Sequence, residues 1–356
     1  MTDAEISAAP VDCAAPSRRD MLAGSAGFLA AIAGLSTIAK EAHAQGTRVA
    51  GGAPRPHILY IIADDLGSAD VGFRGSDIRT PNLDALAAGG ARLGYFYTQP
   101  MCTPTRAALM TGRYPLRYGL QTAVIPSGAD FGLATDEFLL PQALKEAGYR
   151  TALVGKWHLG HADQKYWPCQ RGFDSFYGPL VGEIDHFKHE AHGVTDWYRD
   201  NEPVVEEGYD TDLLGAEAVR LIGGHDPKTP LFLYLAFTAP HTPYQAPQAY
   251  IDAYAGIADP QRRTYAAMIT AMDEQIGKVV AALEARGLRE NTLIVFHSDN
   301  GGTRDKKFVA KERSAVNCRR ATRRCARARA LSMKAAPASW RSPTSRAASP
   351  PARRKG

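Results

Sequence analysis

Four short apolar runs constrain what this chain can fold into: residues 57–63 (HILYIIA), 151–154 (TALV), 231–237 (LFLYLAF) and 292–297 (TLIVFH). Each is continuous rather than alternating, the pattern of a strand covered on both faces. Helical patterns lie between them. In 261–286, Ile269, Met272, Ile276, Val279, Val280 and Leu283 recur every three or four residues, and Gly287 follows as a stop. Residues 82–91, 138–147 and 212–222 read as further helices. No internal repeat is visible. Strands alternating with helices predict an α/β fold, a mostly parallel central sheet flanked by helices on both faces.

In such sheets ligands bind beyond the carboxyl ends of the strands. The first run ends in Asp64-Asp65, the second in Gly155-Lys156-Trp157-His158, the third in Ala239-Pro240-His241 and the fourth in Ser298-Asp299-Asn300-Gly301. An isolated Asp-Asp pair is often only a solvated turn, and a lone His241 is often a neutral core histidine. Four strand ends bringing three Asp, one Asn, one Lys and two His to one rim point instead to a site. The oxygen donors Asp64, Asp65, Asp299 and Asn300 suit a hard cation.

Charge divides unevenly along the chain. The tail from Arg319 carries 12 Lys and Arg and no Asp or Glu, so of the +5 total the preceding 318 residues hold −7. A nucleic-acid binder carries its positive charge on a folded face, so no specific nucleic-acid partner is expected. Residues 1–45 read as a twin-arginine export signal: Ser17-Arg18-Arg19-Asp20-Met21-Leu22, a mildly apolar Gly/Ala stretch, then Ala42-His43-Ala44 as a cleavage site. That stretch is too short and too weakly apolar for a transmembrane helix. Periplasmic or secreted localisation and a meeting with the twin-arginine export machinery follow as expectations. Residues 46–55 read as a linker. The five cysteines, Cys13, Cys102, Cys169, Cys318 and Cys325, form no disulfide framework.

Cys102 stands in Pro100-Met101-Cys102-Thr103-Pro104-Thr105-Arg106, followed by Thr111-Gly112-Arg113. Thr103 reads as the N-cap of a helix with Pro104 at its first position and Gly112 as its stop. Cys102 would then lie just before a helix N-terminus, where the dipole favours negative charge. An inert buried thiol is the bland alternative.

This segment resembles the maturation signature of the type I sulfatases, and Gly148 to His158 (GYRTALVGKWH) resembles a second signature of that family. Tyr97-Thr98-Gln99-Pro100, Ile78-Arg79-Thr80-Pro81 and Arg171-Gly172-Phe173-Asp174 are most similar to its arylsulfatase B branch. Position 105 is more often Ser in that family; Thr105 keeps the hydroxyl. The resemblance implies an alkaline-phosphatase-like sulfatase core over 56–318, and a sulfuric ester hydrolase acting on an aryl or sugar sulfate. It implies that a maturation enzyme oxidises Cys102 to Cα-formylglycine. It also implies that Asp64, Asp65, Asp299, Asn300 and residue 102 hold Ca²⁺, with Mg²⁺ the alternative. One hydroxyl of the hydrated aldehyde then attacks sulfur, and the second expels sulfate. The resemblance further implies that Arg106 and Lys156 hold residue 102 and the sulfate charge, that His158 hydrogen-bonds the hydrate and assists its deprotonation, and that His241 points at the sulfate or leaving oxygen as hydrogen-bond donor or acid.

The segment 181–192 (VGEIDHFKHEAH) mimics a metal cluster in composition, but the family places pocket loops there, and His161, His186, His189 and His192 are expected on surface or pocket loops. After Cys318 the resemblance stops. Residues 319–356 are expected to be disordered and to derive from a frame shift. A second active-site lysine and a smaller C-terminal domain of the family are not recognisable, and Lys306, Lys307 and Lys311 fall too early for that lysine. A weakly active remnant, or a phosphoester hydrolase of the same superfamily, is therefore the alternative.

Overall fold

The computed structural model describes residues 55–303. The export signal, nearly all of the linker, Lys306, Lys307, Lys311, Cys13, Cys318, Cys325 and the basic tail lie outside the described residues.

In chain order the main elements are β1 (His57–Ala63), α1 (Pro81–Gly89), α2 (Cys102–Thr111), α3 (Leu140–Glu146), β2 (Arg150–Gly155) and β3 (Ser175–Gly178). Four two-residue strands follow, β4 (Glu190–Ala191), β5 (Val194–Thr195), β6 (Tyr198–Arg199) and β7 (Glu202–Pro203). Then come α4 (Asp210–Gly224), β8 (Leu231–Ala236), α5 (Gln248–Asp252), α6 (Pro260–Ala285) and β9 (Thr292–Ser298). The large sheet runs β7-β6-β3-β2-β8-β1-β9. Its neighbours from β3 to β9 are parallel, and β6 and β7 add an antiparallel edge. The predicted mostly parallel sheet is therefore present, with each predicted strand within a residue or two of its place, the usual tolerance of such boundaries.

Continuous apolar strands are needed because both faces are covered. On β8, Leu231, Leu233 and Leu235 pack with Leu59, Ile61, Ala152 and Val154 against α4 and α6. The alternate residues Phe232, Tyr234 and Ala236 face the other way, with Ile62, Leu153, Trp157, Phe173 and Phe176, onto Ala107 and Met110 of α2. Each Leu, Ile, Val, Met or Phe among them contributes about 1.5–3 kcal/mol on full burial. One prediction needs correcting: β9 is half-buried and Leu293 is exposed. Among the described residues it pairs with β1 alone and stands last in the strand order.

The longest helix, α6, begins where sequence chemistry places it, with Pro260 in its first turn. The Asp259 carboxylate accepts from the amides of Gln261 (3.0 Å) and Arg262 (3.5 Å). Its buried Asp273 accepts from the amides of Asn82 (3.1 Å) and Leu83 (2.8 Å), satisfying the N-terminus of α1 from another helix. No described helix is long and apolar enough to cross a membrane.

Candidate active site

Register brings the chemistry together. Ile62 lies opposite both Ala236 and His297, Gly155 opposite Ala236, and Ala63 opposite Ser298. The four strands thus end level, and Asp64, Lys156, His241 and Asp299 follow on one rim. Backbone bonds across the strand ends extend the register, Asp64 N to Ala239 O (3.1 Å), Lys156 N to Ala236 O (2.8 Å) and Asp299 N to Ala63 O (2.9 Å). Gly155 is required here: its φ is +114°, and a Cβ would sit 1.8 Å from the carbonyl oxygen of Ala236.

Helix α2 delivers Cys102 to this rim. The structure corrects the predicted cap: Met101 is the N-cap and Cys102 is the first helical residue. Thr103 is inside the helix; its hydroxyl donates to the His158 carbonyl (3.1 Å) and accepts from the Ile125 amide (3.1 Å). Gly112 stops the helix as predicted, in the left-handed conformation at φ +65°. The Thr105 hydroxyl reaches the carbonyls of Asp299 (2.7 Å) and Gln99 (3.1 Å), tying α2 to the end of β9.

The polar centre is wholly buried. The Cys102 thiol donates to Asp64 Oδ1 (3.2 Å) and approaches Asn300 Oδ1 (3.6 Å). Arg106 donates through Nη2 to Asp299 Oδ2 (2.9 Å) and through Nη1 to the Lys156 carbonyl (2.9 Å). Lys156 Nζ pairs with Asp64, and Asn300 Nδ2 donates to Asp65. The Asp65 amide donates to Asp299 Oδ1 (3.2 Å). One donor atom from each of Asp64, Asp65, Cys102 and Asp299 lies within 4.8 Å of the others, and His241 brings a ring nitrogen equally near Asp64 and Cys102.

The electrostatics fit a cation. Three buried carboxylates face two buried cations, Arg106 and Lys156. Burial pushes the Asp299 carboxyl up, and the charge of Asp64 adds to this against Arg106 and Lys156. Burial would also raise Asp64, but Lys156, His241 and Arg106 together hold it below the ordinary carboxylate range. A divalent ion among these oxygens removes the repulsion, and the donor set is that of a hard cation. The Cys102 thiol is pushed well up by burial and then by Asp299 and Asp64. As a plain cysteine it is therefore a protonated, weak nucleophile.

Two histidines border the centre. His158 Nε2 lies 3.0 Å from the Ile125 carbonyl, which can only accept, so Nε2 carries the proton and Nδ1 is bare. That Nδ1 is buried without a partner among the described residues. Burial, then Lys156 and Arg106, push this imidazole well below its ordinary pKa, so it is neutral. Its ring packs where a side chain at Gly182 would stand, 2.2 Å from a Cβ there. His241 Nδ1 bonds the Thr242 carbonyl (2.7 Å), and Nε2 lies 3.9 Å from Asp65.

All the predicted site residues, Asp64, Asp65, Cys102, Arg106, Lys156, His158, His241, Asp299 and Asn300, thus gather at one place. His186 and His189 lie on a loop as expected, and both are buried there rather than exposed. His186 is buried against Asp210, and His189 is buried in a stack on Trp197 with ring centroids 4.6 Å apart. No cluster of metal-binding donors occurs in 181–192; among the described residues such groups occur only around Asp64 and Cys102. The tie between His186 and Asp210 was missed because the partners are 24 residues apart and share no local pattern.

Residues 56–324 match the family model described as Sulfatase. Mouse arylsulfatase J is 43% identical over 259 residues, 70% of this chain and 43% of that protein. The arylsulfatase of Klebsiella aerogenes is 31% identical, covering 73% of this chain and 70% of its own length. The crystal structure of Ps i-CgsB in complex with k-i-k-neocarrahexaose superposes with a TM-score of 0.65 at 41% identity, over 70% of this chain and 59% of that one. The chain thus spans less than half of the mouse relative.

Proposed function

The chain belongs to the sulfatase family, and on that premise we propose that its strand-end site hydrolyses a sulfate ester with Cys102 matured to Cα-formylglycine and a divalent metal, Ca²⁺ before Mg²⁺, beside it. The observation that carries this is the convergence of Asp64, Asp65, Cys102 and Asp299 within 4.8 Å, backed by Arg106 and Lys156. Similarity to Ps i-CgsB, whose complex holds a neocarrahexaose, supports a sulfated saccharide as substrate. The twin-arginine pattern supports export to the periplasm or beyond, after maturation by a formylglycine-generating enzyme in the cytoplasm.

When in place, the metal supplies a Lewis acid and the matured residue 102 a nucleophile. Asp64, Asp65, Asp299 and Asn300 would hold the ion. Arg106 is kept charged by Asp299 despite its burial, and Lys156 by Asp64. These two cations bind the sulfate oxygens and stabilise charge that grows as the ester bond breaks. Neutral His158 can accept a proton through its bare Nδ1. His241 gives a proton from Nε2 to the leaving oxygen, the distal Nδ1 being occupied by the Thr242 carbonyl.

The test is sulfate release from nitrophenyl sulfate and from a sulfated galactan oligosaccharide. The full chain is co-expressed with a maturation enzyme, with Cys102→Ala as the control. Turnover in the matured chain and none in Cys102→Ala is expected; equal release from both would reject the assignment.

A further inference from the structure

We propose that His186, Asp210 and Thr238 form a buried clamp that positions His241, acting on the reaction through that residue without touching the substrate. The three are buried, at 1%, 0% and 4% exposure. His186 Nδ1 bonds Asp210 Oδ2 (2.8 Å), and its Nε2 bonds the backbone carbonyl of His241 (3.1 Å). Both partners are acceptors, so both ring nitrogens must donate, which only the imidazolium can do. Burial opposes that charge, but Asp210 outweighs it and the His186 pKa lies above its ordinary value.

The same carboxylate oxygen of Asp210 accepts from the Thr238 hydroxyl (2.5 Å). The His241 amide in turn donates to the Thr238 carbonyl (3.0 Å). Asp210 therefore holds the turn 238–241 at both ends, directly at Thr238 and through His186 at His241. The clamp is itself anchored. The Asp210 amide donates to the His186 carbonyl (2.9 Å), and the His186 amide donates to Gln245 Oε1 (2.8 Å). Asp210 opens the fifteen-residue helix α4, which packs on the sheet, so the rigid layer of the fold reaches the catalytic rim along this path. A purely structural polar core would not need to end on the carbonyl of the one residue whose Nε2 faces the metal carboxylates. Without the clamp the turn keeps its strand but His241 loses its fixed height above the rim. An error of about 1 Å in such a group costs on the order of 10²-fold in rate.

The clamp matters to catalysis only if the sulfatase function proposed above holds, so the experiment has two arms. In the first, Asp210→Asn and Thr238→Val are made in the full matured chain, alone and combined with His241→Ala. Sulfate release is measured on a nitrophenyl sulfate and on a sugar sulfate. Asp210→Asn should lower kcat on the sugar sulfate by about 10- to 100-fold with little change in KM, and should lower it less on the nitrophenyl ester, whose leaving oxygen needs less help. Thr238→Val should do the same to a smaller degree. In the His241→Ala background neither substitution should slow the enzyme further; an undiminished further loss overturns the proposal. The second arm is NMR of histidine-labelled chain. Wild type should show two ring N–H protons on His186, and Asp210→Asn should remove that pattern and shift the ring signals of His241. Unchanged His241 signals overturn the clamp whatever the activity. If the wild type releases no more sulfate than Cys102→Ala, the sulfatase assignment fails, and the NMR arm still decides the clamp.

Discussion

At Cys102 the thiol is disarmed by its surroundings: buried, pushed up, and hydrogen-bonded to Asp64. The position therefore has little use as a cysteine, and its motif, readable in the sequence, supports the proposal that it is a precursor. The proposed metal ligands gather at one rim for a different reason. Carboxylates and an amide at the ends of apolar runs have no role in a core, so their placement predicts a rim. Asp299→Asn keeps the shape of its side chain but removes one donor charge. Calorimetry should show Ca²⁺ affinity reduced at least tenfold, on the order of 1.4 kcal/mol; an unchanged affinity would take Asp299 out of the ligand set. The roles of Thr103 and His186 were not legible. Both bond partners far along the chain, and no local spacing encodes such a contact. His186 gives a pH prediction whose sign is fixed by its raised pKa. The stability it adds is fully present below the unfolded value of 6.5 and is lost as pH rises through the higher folded value. In thermal melts, the gap between wild type and His186→Gln should therefore narrow from pH 6 towards alkaline pH; a gap that widens would mean His186 is neutral in the fold.

Among the elements, β1, β2 and β8 were read best because burial on both faces leaves a continuous apolar run, and α6 because its period persists for about four turns from Ile269 to Leu283. The strand β3 escaped notice: four residues, SFYG, carry no period to read. The start of α2 lies two residues earlier than the sequence suggests, since Thr103-Pro104 imitates a cap, whereas the Thr103 hydroxyl is engaged across the site instead. Capping at α6 is conventional and separable from chemistry. Asp259→Ala should cost about 1 kcal/mol, seen as a lower urea midpoint with an unchanged slope. Formylglycine-dependent turnover at low temperature should stay within about twofold of wild type, because the cap faces α6 and not the rim. A loss of turnover without a loss of stability would show that α6 influences the site directly.

For the molecule as a whole, the two cores meet at the sheet, and the carboxylates sit where strands from both cores end. The proposed metal binding would consequently be linked to folding. A metal present at about 100 times its Kd should stabilise the fold by about 2.7 kcal/mol. A chelator should thus lower Tm by several degrees, and added Ca²⁺ should restore it. A Tm indifferent to chelation and calcium would mean that the carboxylates hold no ion in the folded chain.

The central claim is that Cys102 is made to be changed. It is tested most directly by peptide mass spectrometry of the chain co-expressed with a formylglycine-generating enzyme. Trypsin releases residues 93–106 (LGYFYTQPMCTPTR) as one peptide. The mature peptide should be lighter by about 18 Da, the exchange of a thiol for an aldehyde, and should react with a hydrazide. A peptide carrying only the unmodified thiol would contradict the account.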